Sequence, residues 1–358
     1  MLPLLLTGWI AGGALAAPAV RVASVEGANL QRPAWSPDGS KLSFEANFHE
    51  QKRIELWVGE PRPDAFQQIT ASSRATSSIT DGFPTARGGL VAHELAWAPK
   101  GIDAYVFAAS NDRFDYDLYI SEGAKLASGP GADGGARWSP NGQYIAFTSA
   151  RTGEGDLYLI DTKQIEKPPQ RLTSLDDSSE LYVDWSPDSA NLVFVAHSNK
   201  GDNLWVLLGL PSTQPSRLTT WPGNQIRPTF SPVAQRIAFY ANHDDPERFD
   251  LYVVEVGAAP RMLVRGVYPD AHGPSWTPDG KHIVYVSQDD QKFNPVRAVK
   301  VDDPARTATI DLGTVGNGDL SVVQRNGAIW AAVVASGRVD ETRRDFKRLY
   351  VAELPALP

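Results

Sequence analysis

One short pattern recurs along the chain and limits the possible folds more than any other feature. It consists of an aromatic residue, a Ser-Pro-Asp-Gly turn or a close variant, and then an apolar run. Copies begin at Trp35, Trp97, Trp138, Trp185, Phe230 and Trp276, with spacings of 62, 41, 47, 45 and 46 residues. A further 47 residues leads to Val323, where Asn326 and Gly327 keep the turn although the aromatic is lost. We count this as a seventh copy, and a period of this size indicates a repeat fold rather than several domains.

Within each copy, the spacing of apolar and polar residues is typical of β-strands. A bulky apolar residue follows the aromatic by nine or ten positions: Phe44, Phe107, Phe147, Phe194, Phe239 and Tyr285. A third strand then begins with an acidic or amide residue, as in Asp156-Leu157-Tyr158, and a fourth resembles Arg171-Leu172-Thr173. Four short strands per repeat, with no helical periodicity, are typical of a propeller blade. We therefore predict an all-β, seven-bladed β-propeller, with six blades as the alternative.

The turn and the aromatic have separate structural roles. Proline fixes φ at the first central position of the turn, and glycine takes the left-handed position where side chains are costly. This predicts a hairpin between the first two strands. The preceding tryptophans are expected to fill the wedge between adjacent blades, where burial of such a side chain contributes about 1.5–3 kcal/mol.

The two ends of the chain are expected to complete one blade together. Only eight residues follow Tyr350, too few for a fourth strand, whereas Arg21–Ser24 resembles the missing one. Pairing Val22 with the strand that contains Leu349 would remove the exposed edge of an open ring. The long first spacing predicts a surface insertion over residues 70–89.

Composition and motifs exclude several classes of function. Lys plus Arg number 34 against 42 for Asp plus Glu, and the net charge of −8 argues against sequence-independent binding of nucleic acid. Without cysteine there is no thiolate nucleophile, disulfide or cysteine-ligated zinc. The sequence contains no GxSxG, no phosphate-binding glycine loop and no HExxH. A catalytic centre is therefore not expected.

Residues 1–17 have the pattern of a signal peptide: an uncharged apolar run that ends near Ala14-Leu15-Ala16. No later stretch approaches the roughly 18 apolar residues that a membrane span needs. We therefore expect a periplasmic or secreted protein in which residues 18–358 form a single propeller domain without a membrane span.

The repeat resembles that of the TolB-type propellers, relatives of the WD repeat with a consensus close to WSPDG, IAF, DLYV and RLT. The resemblance covers residues 21–358. It implies a propeller without the additional amino-terminal α/β domain of TolB, and with seven units where TolB has six blades. It specifies the repeat and leaves the function open.

Variable polar and aromatic residues are expected on one face of the disc. By analogy with WD-type blades, the connection between the second and third strands and the one entering the innermost strand open on the same face, here called the loop-bearing face. We predict that it binds a protein partner, an envelope component, because mixed charge with a loop phenylalanine is typical of such a surface. The alternative is that each phenylalanine folds back under its own loop. Candidate residues are Phe48, Arg113, Phe114, Glu94, Tyr182, Arg227, Phe249 and Phe293.

A second hypothesis rests on His93 and His272, each four residues before its tryptophan. Together with Glu94 and Asp270 they could hold a divalent cation at the channel mouth, as in a metal-dependent carbohydrate-active enzyme similar to the oligogalacturonate lyases. No third histidine shares this position, and a protein metal site usually has three or more ligands. We therefore expect no cofactor, and keep the enzyme as the alternative.

Overall fold

The computed structural model describes residues 18–51, 53–69, 91–110, 116–121, 123–210, 214–289, 293–338 and 346–358. The predicted signal segment, residues 1–17, and the whole of the predicted insertion, residues 70–89, lie outside these residues.

Strands dominate the described chain, and they form seven four-stranded blades. The inner strands are β2 (Asn29–Trp35), β6 (Val91–Trp97), β10 (Asp133–Trp138), β14 (Ser179–Trp185), β18 (Gln225–Phe230), β22 (Ser275–Trp276) and β27 (Leu320–Arg325). The second strands are β3 (Leu42–Phe48), β7 (Tyr105–Ser110), β11 (Tyr144–Thr152), β15 (Asn191–Ser198), β19 (Arg236–Ala241), β23 (His282–Val286) and β28 (Ala328–Ala335).

The outer half of each blade contains the remaining strands. The third strands are β4 (Arg53–Gly59), β8 (Asp117–Ile120), β12 (Glu154–Asp161), β16 (Gly201–Leu208), β20 (Phe249–Glu255), β24 (Val296–Lys300) and β30 (Arg348–Glu353). The fourth strands are β5 (Phe66–Gln68), β9 (Lys125–Ala127), β13 (Gln170–Arg171), β17 (Pro215–Arg217), β21 (Arg261–Val267), β25 (Asp303–Ile310) and β1 (Val20–Ala23). Outside the blades are a ribbon of β26 (Thr314–Val315) with β29 (Gly337–Arg338) and one 3-10 turn, His49–Gln51.

The closure predicted from the two ends of the chain is confirmed. β1 pairs antiparallel with β30, and Arg21 and Ala23 lie opposite Tyr350 and Leu349. The seventh copy is also confirmed, because Val323 lies in β27 and pairs with Trp330 of β28. Seven blades are therefore correct and the six-bladed alternative is wrong.

The core is divided among the junctions between blades. Seven separate apolar clusters of described residues each combine side chains from two neighbouring blades. Each of the bulky second-strand residues predicted from the repeat is at most 3% exposed. Because each sheet contributes both faces to the core, no blade is complete without its neighbours.

The tryptophans join adjacent blades, as predicted. The indole Nε1 of Trp97 donates to the carbonyl of Ala34 at 2.9 Å, and that of Trp185 donates to Arg137 at 3.1 Å. Trp276 makes the equivalent bond to Thr229 at 3.2 Å. Each bond links an aromatic to the inner strand of the preceding blade, so the repeat also supplies a polar bond across the junction.

The second-to-third strand connections lie beside the starts of the inner strands. Lys347, ahead of β30, accepts a backbone bond from Leu30 of β2 at 3.1 Å, and Asn242 bonds Asn224 within blade 5 at 3.2 Å. Both kinds of loop therefore open on the loop-bearing face, while the Ser-Pro-Asp-Gly turns lie on the opposite face. Among the described residues there is no helix long and apolar enough to cross a membrane.

Candidate binding site in the central channel

The inner strands share a backbone irregularity at one position, the residue three before the repeat aromatic. Non-glycine residues there have positive φ: Arg32 (49°), Glu94 (60°), Tyr182 (56°) and Arg227 (54°). In blades 3 and 6 the same position is glycine, at Gly135 and Gly273. The pairing register with the second strand shifts at this point in blades 1 to 5. We call it the bulge position, and it re-aims the side chains that line the channel.

Four large polar residues are therefore held in a conformation that favours glycine. Residues in the left-handed region cost of order 1 kcal/mol or more each, and such outliers cluster at functional sites. The other non-glycine residues with positive φ are Asp, Asn or Ser, which adopt it readily in turns. The channel is thus the strained region of the described chain.

One part of the channel wall is tied together by carboxylates. Asp319 Oδ2 accepts the backbone N–H of Arg32 at 2.9 Å, and Glu45 Oε1 accepts that of Glu94 at 2.8 Å. Glu94 Oε2 accepts the N–H of Gly135 at 2.6 Å. In each case a carboxylate bonds the bulge position of the next blade, satisfying a donor that the bulge removes from the strand ladder. Asp270 of blade 6 binds the N–H of Leu320 in the same way.

These carboxylates also form ion pairs with Arg32. Its Nη1 lies 3.2 Å from Glu94 Oε1 and 3.6 Å from Glu45 Oε1. Burial raises the pKa of Glu94, but His93, Arg32 and the bond from Gly135 outweigh it and lower the pKa to about 2. We call Asp319, Glu45, Glu94 and Arg32 the carboxylate side of the channel.

The opposite part of the wall is rich in arginine. Arg137, Tyr182, Asp184, Arg227 and His272, from blades 3 to 6, line a small cavity of about 40 Å³. Arg227 stacks over the Tyr182 ring, with its Cζ 3.8 Å from the ring centroid. Its Nη1 donates to the backbone carbonyl of Ala271 at 2.6 Å, across a blade junction. We call this group the arginine side.

Burial shifts the pKa values of Asp184 and His272 on the arginine side. It raises the pKa of Asp184 to about 6, although the N–H of Phe230, which bonds Oδ2 at 2.7 Å, acts in the opposite direction. Burial, together with the charge of Arg137, lowers the pKa of His272 to about 4. At neutral pH the cavity therefore contains two guanidinium groups, one carboxylate and a neutral imidazole.

An open pocket of about 360 Å³ adjoins this cavity, and Tyr182 lines both. Its walls include His93, Glu94, Tyr116 and Leu181. The His93 ring packs edge-on against Tyr116, with centroids 4.8 Å apart. The pocket has the volume of a site for a small molecule or a few side chains of a larger partner.

The predicted binding-face residues have different environments. Glu94, Tyr182 and Arg227 share the bulge position on the channel wall, as described above. Phe48 is 8% exposed with Arg53 over its ring at 4.2 Å, and Phe249 packs against an apolar cluster. These two rings fold back, whereas Phe293 is 39% exposed. Arg113 and Phe114 lie outside the described residues.

The two candidate metal ligands line different pockets. His93 lines the open pocket, with its Nδ1 3.7 Å from Glu94 Oε2, and His272 lines the small cavity. Within the described ranges, no group of three or more His, Asp or Glu side chains could hold a metal ion.

Several residues of the site were missed by the sequence analysis. Glu45 is 2% exposed in the middle of a second strand, and an acidic residue in that apolar run could have signalled a buried bond. Arg137 and Asp184 each directly precede a repeat tryptophan, so their position in the repeat is a usable signal. Asp319 lies four residues before Val323, the position that His93 and His272 occupy in their own copies.

Comparisons with known proteins support the fold. No protein-family model matches the chain. The uncharacterized protein Atu1656 of Agrobacterium fabrum is 26% identical over 205 residues, which cover 47% of this chain and 66% of that protein. The crystal structure of TolB from Acinetobacter baumannii is similar with a TM-score of 0.51 and 14% identity, over 79% of this chain and 63% of that chain.

A puromycin-hydrolyzing peptidase of Mycobacterium tuberculosis has a TM-score of 0.58 and 11% identity, over 91% of this chain and 55% of that chain. This chain thus spans less than two thirds of the length of each of these proteins. At such identities the structural likenesses establish the fold alone. Its repeat, its seven blades and these likenesses together show that the chain is a TolB-type β-propeller in fold.

Proposed function

We propose that the protein is an exported, non-enzymatic scaffold that binds a protein partner through its loop-bearing face and the channel that opens there. The observation that carries the proposal is the left-handed backbone of Arg32, Glu94, Tyr182 and Arg227 at one position of four blades. Strain of this kind persists where function requires a side chain to be aimed. Here it supplies mixed charge and an aromatic ring on a concave surface.

Exposed rings in the second-to-third strand connections also support a protein partner. Phe293 of blade 6 is 39% exposed and Phe346 of blade 7 is 43% exposed. The backbone carbonyl of Phe293 accepts the N–H of Gly316 at 2.9 Å, and the ammonium of Lys347, next to Phe346, lies against Gly318. The two connections therefore meet at the segment 316–318. Aromatic residues beside a polar rim are typical of protein interfaces.

Export with removal of residues 1–17 would be compatible with the contacts of Ala19. Ala19 is fully buried, and its N–H donates to the carbonyl of Leu312 at 3.0 Å. Processing after residue 17, where the predicted signal peptide ends, would leave this contact and strand β1 intact. A periplasmic or secreted scaffold would meet components of the cell envelope, which we propose as the class of partner.

The geometry gives no such support to the metal-dependent carbohydrate-active enzyme. That hypothesis rested on convergence of His93 and His272, and the two line different pockets. We therefore propose the scaffold and not the enzyme.

Site-specific photocrosslinking in cells tests the proposal. A photoreactive phenylalanine would replace Phe293 or Phe346, and in a matched control Val233, which is 60% exposed in the turn on the opposite face. We expect the same envelope protein in the crosslinks from both phenylalanine positions and not in those from Val233. Equal crosslinking from Val233, or none from either phenylalanine, would contradict the proposal.

A further inference from the structure

We propose that the small cavity on the arginine side is a binding site for a carboxylate group, which Arg137 and Arg227 hold. The inference that the ligand is a carboxylate rests on the residues of the cavity. The inference that this carboxylate belongs to an acidic side chain or chain terminus of a protein partner rests on the proposed function.

The donors of the cavity are not used up within the protein. Arg137 Nη1 donates to the carbonyl of Ala136 at 2.9 Å, and Arg227 Nη1 donates to that of Ala271. Each guanidinium carries five N–H groups. In the part of the chain that the structure describes, His272 Nε2 is buried without a hydrogen-bond partner. A bound oxyanion would accept from the remaining N–H groups of the two guanidinium groups.

Other arginines with little exposure are paired differently. The Arg151 guanidinium Nη2 donates to both oxygens of Asp133, at 2.9 and 3.0 Å, and Arg32 pairs with Glu94 and Glu45. Among the described residues, neither Arg137 nor Arg227 has an Asp or Glu oxygen within 4.0 Å. Arg137 and Arg227 are both half-buried. Because charged groups with reduced access to water are normally paired in proteins, two guanidinium groups without an ion-pair partner beside one cavity indicate a ligand of opposite charge.

Charge and size select the class of anion. The two guanidinium groups and the Asp184 carboxylate leave a net charge of about +1 at neutral pH, which suits a monoanion better than a phosphate dianion. A cavity of about 40 Å³ exceeds the roughly 10–15 Å³ that one water needs and has room for a group of few atoms. A carboxylate also matches the planar fork of arginine.

The approach to the cavity would pass Tyr182. Its ring lines both the open pocket and the small cavity, and Arg227 stacks on it. A carboxylate carried on a peptide could therefore reach the arginine pair while its backbone lies in the open pocket of about 360 Å³.

Arginine side-chain NMR on the purified, ¹⁵N-labelled protein tests the site directly. The titrants are sodium acetate, its neutral isostere acetamide and inorganic phosphate, at constant ionic strength. We expect saturable shifts of the Arg137 and Arg227 Nε–H signals with acetate, weaker shifts with phosphate and none with acetamide. Arg236, which already pairs with Glu255 and Asp302 on the surface, is the internal control and should not respond.

Two variants and three capped peptides complete the design. Arg137→Gln removes a donor whose own bond stays within its strand, so the fold should survive, and the affinity for acetate should fall about tenfold or more. Arg227→Lys keeps the charge and should retain part of the affinity. Comparison of Ac-Gly-Glu-Gly-NH₂, Ac-Gly-Gln-Gly-NH₂ and Ac-Gly-Gly-Gly-OH then distinguishes a side-chain carboxylate from a terminal one.

The outcomes separate this site from the proposed function. Absent acetate shifts, equal shifts with acetamide, or unchanged affinity in Arg137→Gln would overturn the carboxylate site. Acetate binding without binding of either acidic peptide would keep the site for free small carboxylates and overturn the peptide source. Failure of the crosslinking experiment alone would overturn the scaffold and leave the carboxylate site standing.

Discussion

The two sides of the channel satisfy their buried polar groups in opposite ways. On the carboxylate side, Glu45, Glu94 and Asp319 each accept a backbone N–H of another blade and surround Arg32 with negative charge. On the arginine side, Arg137 and Arg227 donate to neutral backbone carbonyls beside a cavity. The same bulge can therefore hold adjacent blades together in one part of the ring and direct charged side chains towards a cavity in another.

The largest expected effect comes from breaking the carboxylate side. Glu45→Ala leaves the N–H of Glu94 and the side chain of Gln31 without their acceptor, in a site where Glu45 is 2% exposed. We expect the free energy of unfolding to fall by about 3 kcal/mol, measured by urea denaturation.

A surface carboxylate provides the matched control for this change. Glu255, whose side chain is 59% exposed, pairs with Arg236 at 3.0 Å. Glu255→Ala should cost less than about 1 kcal/mol. If Glu45→Ala costs no more than the control, the carboxylates do not hold the blades together.

The repeat predicted the ring more fully than the site. Spacing placed Val323 in a seventh blade, and the likeness of Arg21–Ser24 to a fourth strand placed Val22 beside Leu349. Glu45 and Asp319 were not predicted. Their positions in the repeat are visible, but each bonds the bulge position of another blade, and that partner cannot be inferred from one strand. Glu94, Tyr182 and Arg227 were found by their position, but their pairing depends on which blades are neighbours.

The stabilities contributed by the two sides should change with pH in opposite directions. The pKa of Asp184 rises from 3.8 to about 6 on folding, so the folded state binds the proton more tightly and stability falls as pH rises from about 4 to 6. The pKa of Glu94 falls from 4.5 to about 2, so its contribution is present above pH 4.5 and is lost as pH falls towards 2.

Unfolding free energies measured between pH 3 and 8 check both directions. Relative to wild type, Asp184→Asn should remove part of the decline between pH 4 and 6, and Glu94→Gln part of the loss below pH 4.5. Curves parallel to wild type for both variants would contradict the assigned roles.

The tryptophan layer offers a smaller test of the junctions. Trp97→Phe loses the bond from Nε1 to Ala34 and should cost about 1 kcal/mol beyond the change in packing. Trp138 is its matched control, because its Nε1 is buried without a partner within the described residues. Trp138→Phe should therefore cost less, and equal losses in thermal unfolding would mean that the bond across the junction adds nothing.

The smallest change in stability is expected on the arginine side. Arg137→Gln removes an unpaired charge from a half-buried site, so we expect the free energy of unfolding to stay unchanged or rise by up to about 1 kcal/mol. A loss above about 2 kcal/mol in urea denaturation would assign Arg137 to the structural framework.

Stabilisation by acetate compares the two sides in one experiment. Unfolding free energies of wild type, Glu45→Gln and Arg137→Gln would be measured with acetate and with chloride at equal ionic strength. A ligand at ten times its dissociation constant stabilises the folded state by about 1.4 kcal/mol. We expect acetate to raise the unfolding free energy by this amount for wild type and for the less stable Glu45→Gln, and not for Arg137→Gln. An equal increase in all three proteins would contradict a carboxylate site on the arginine side.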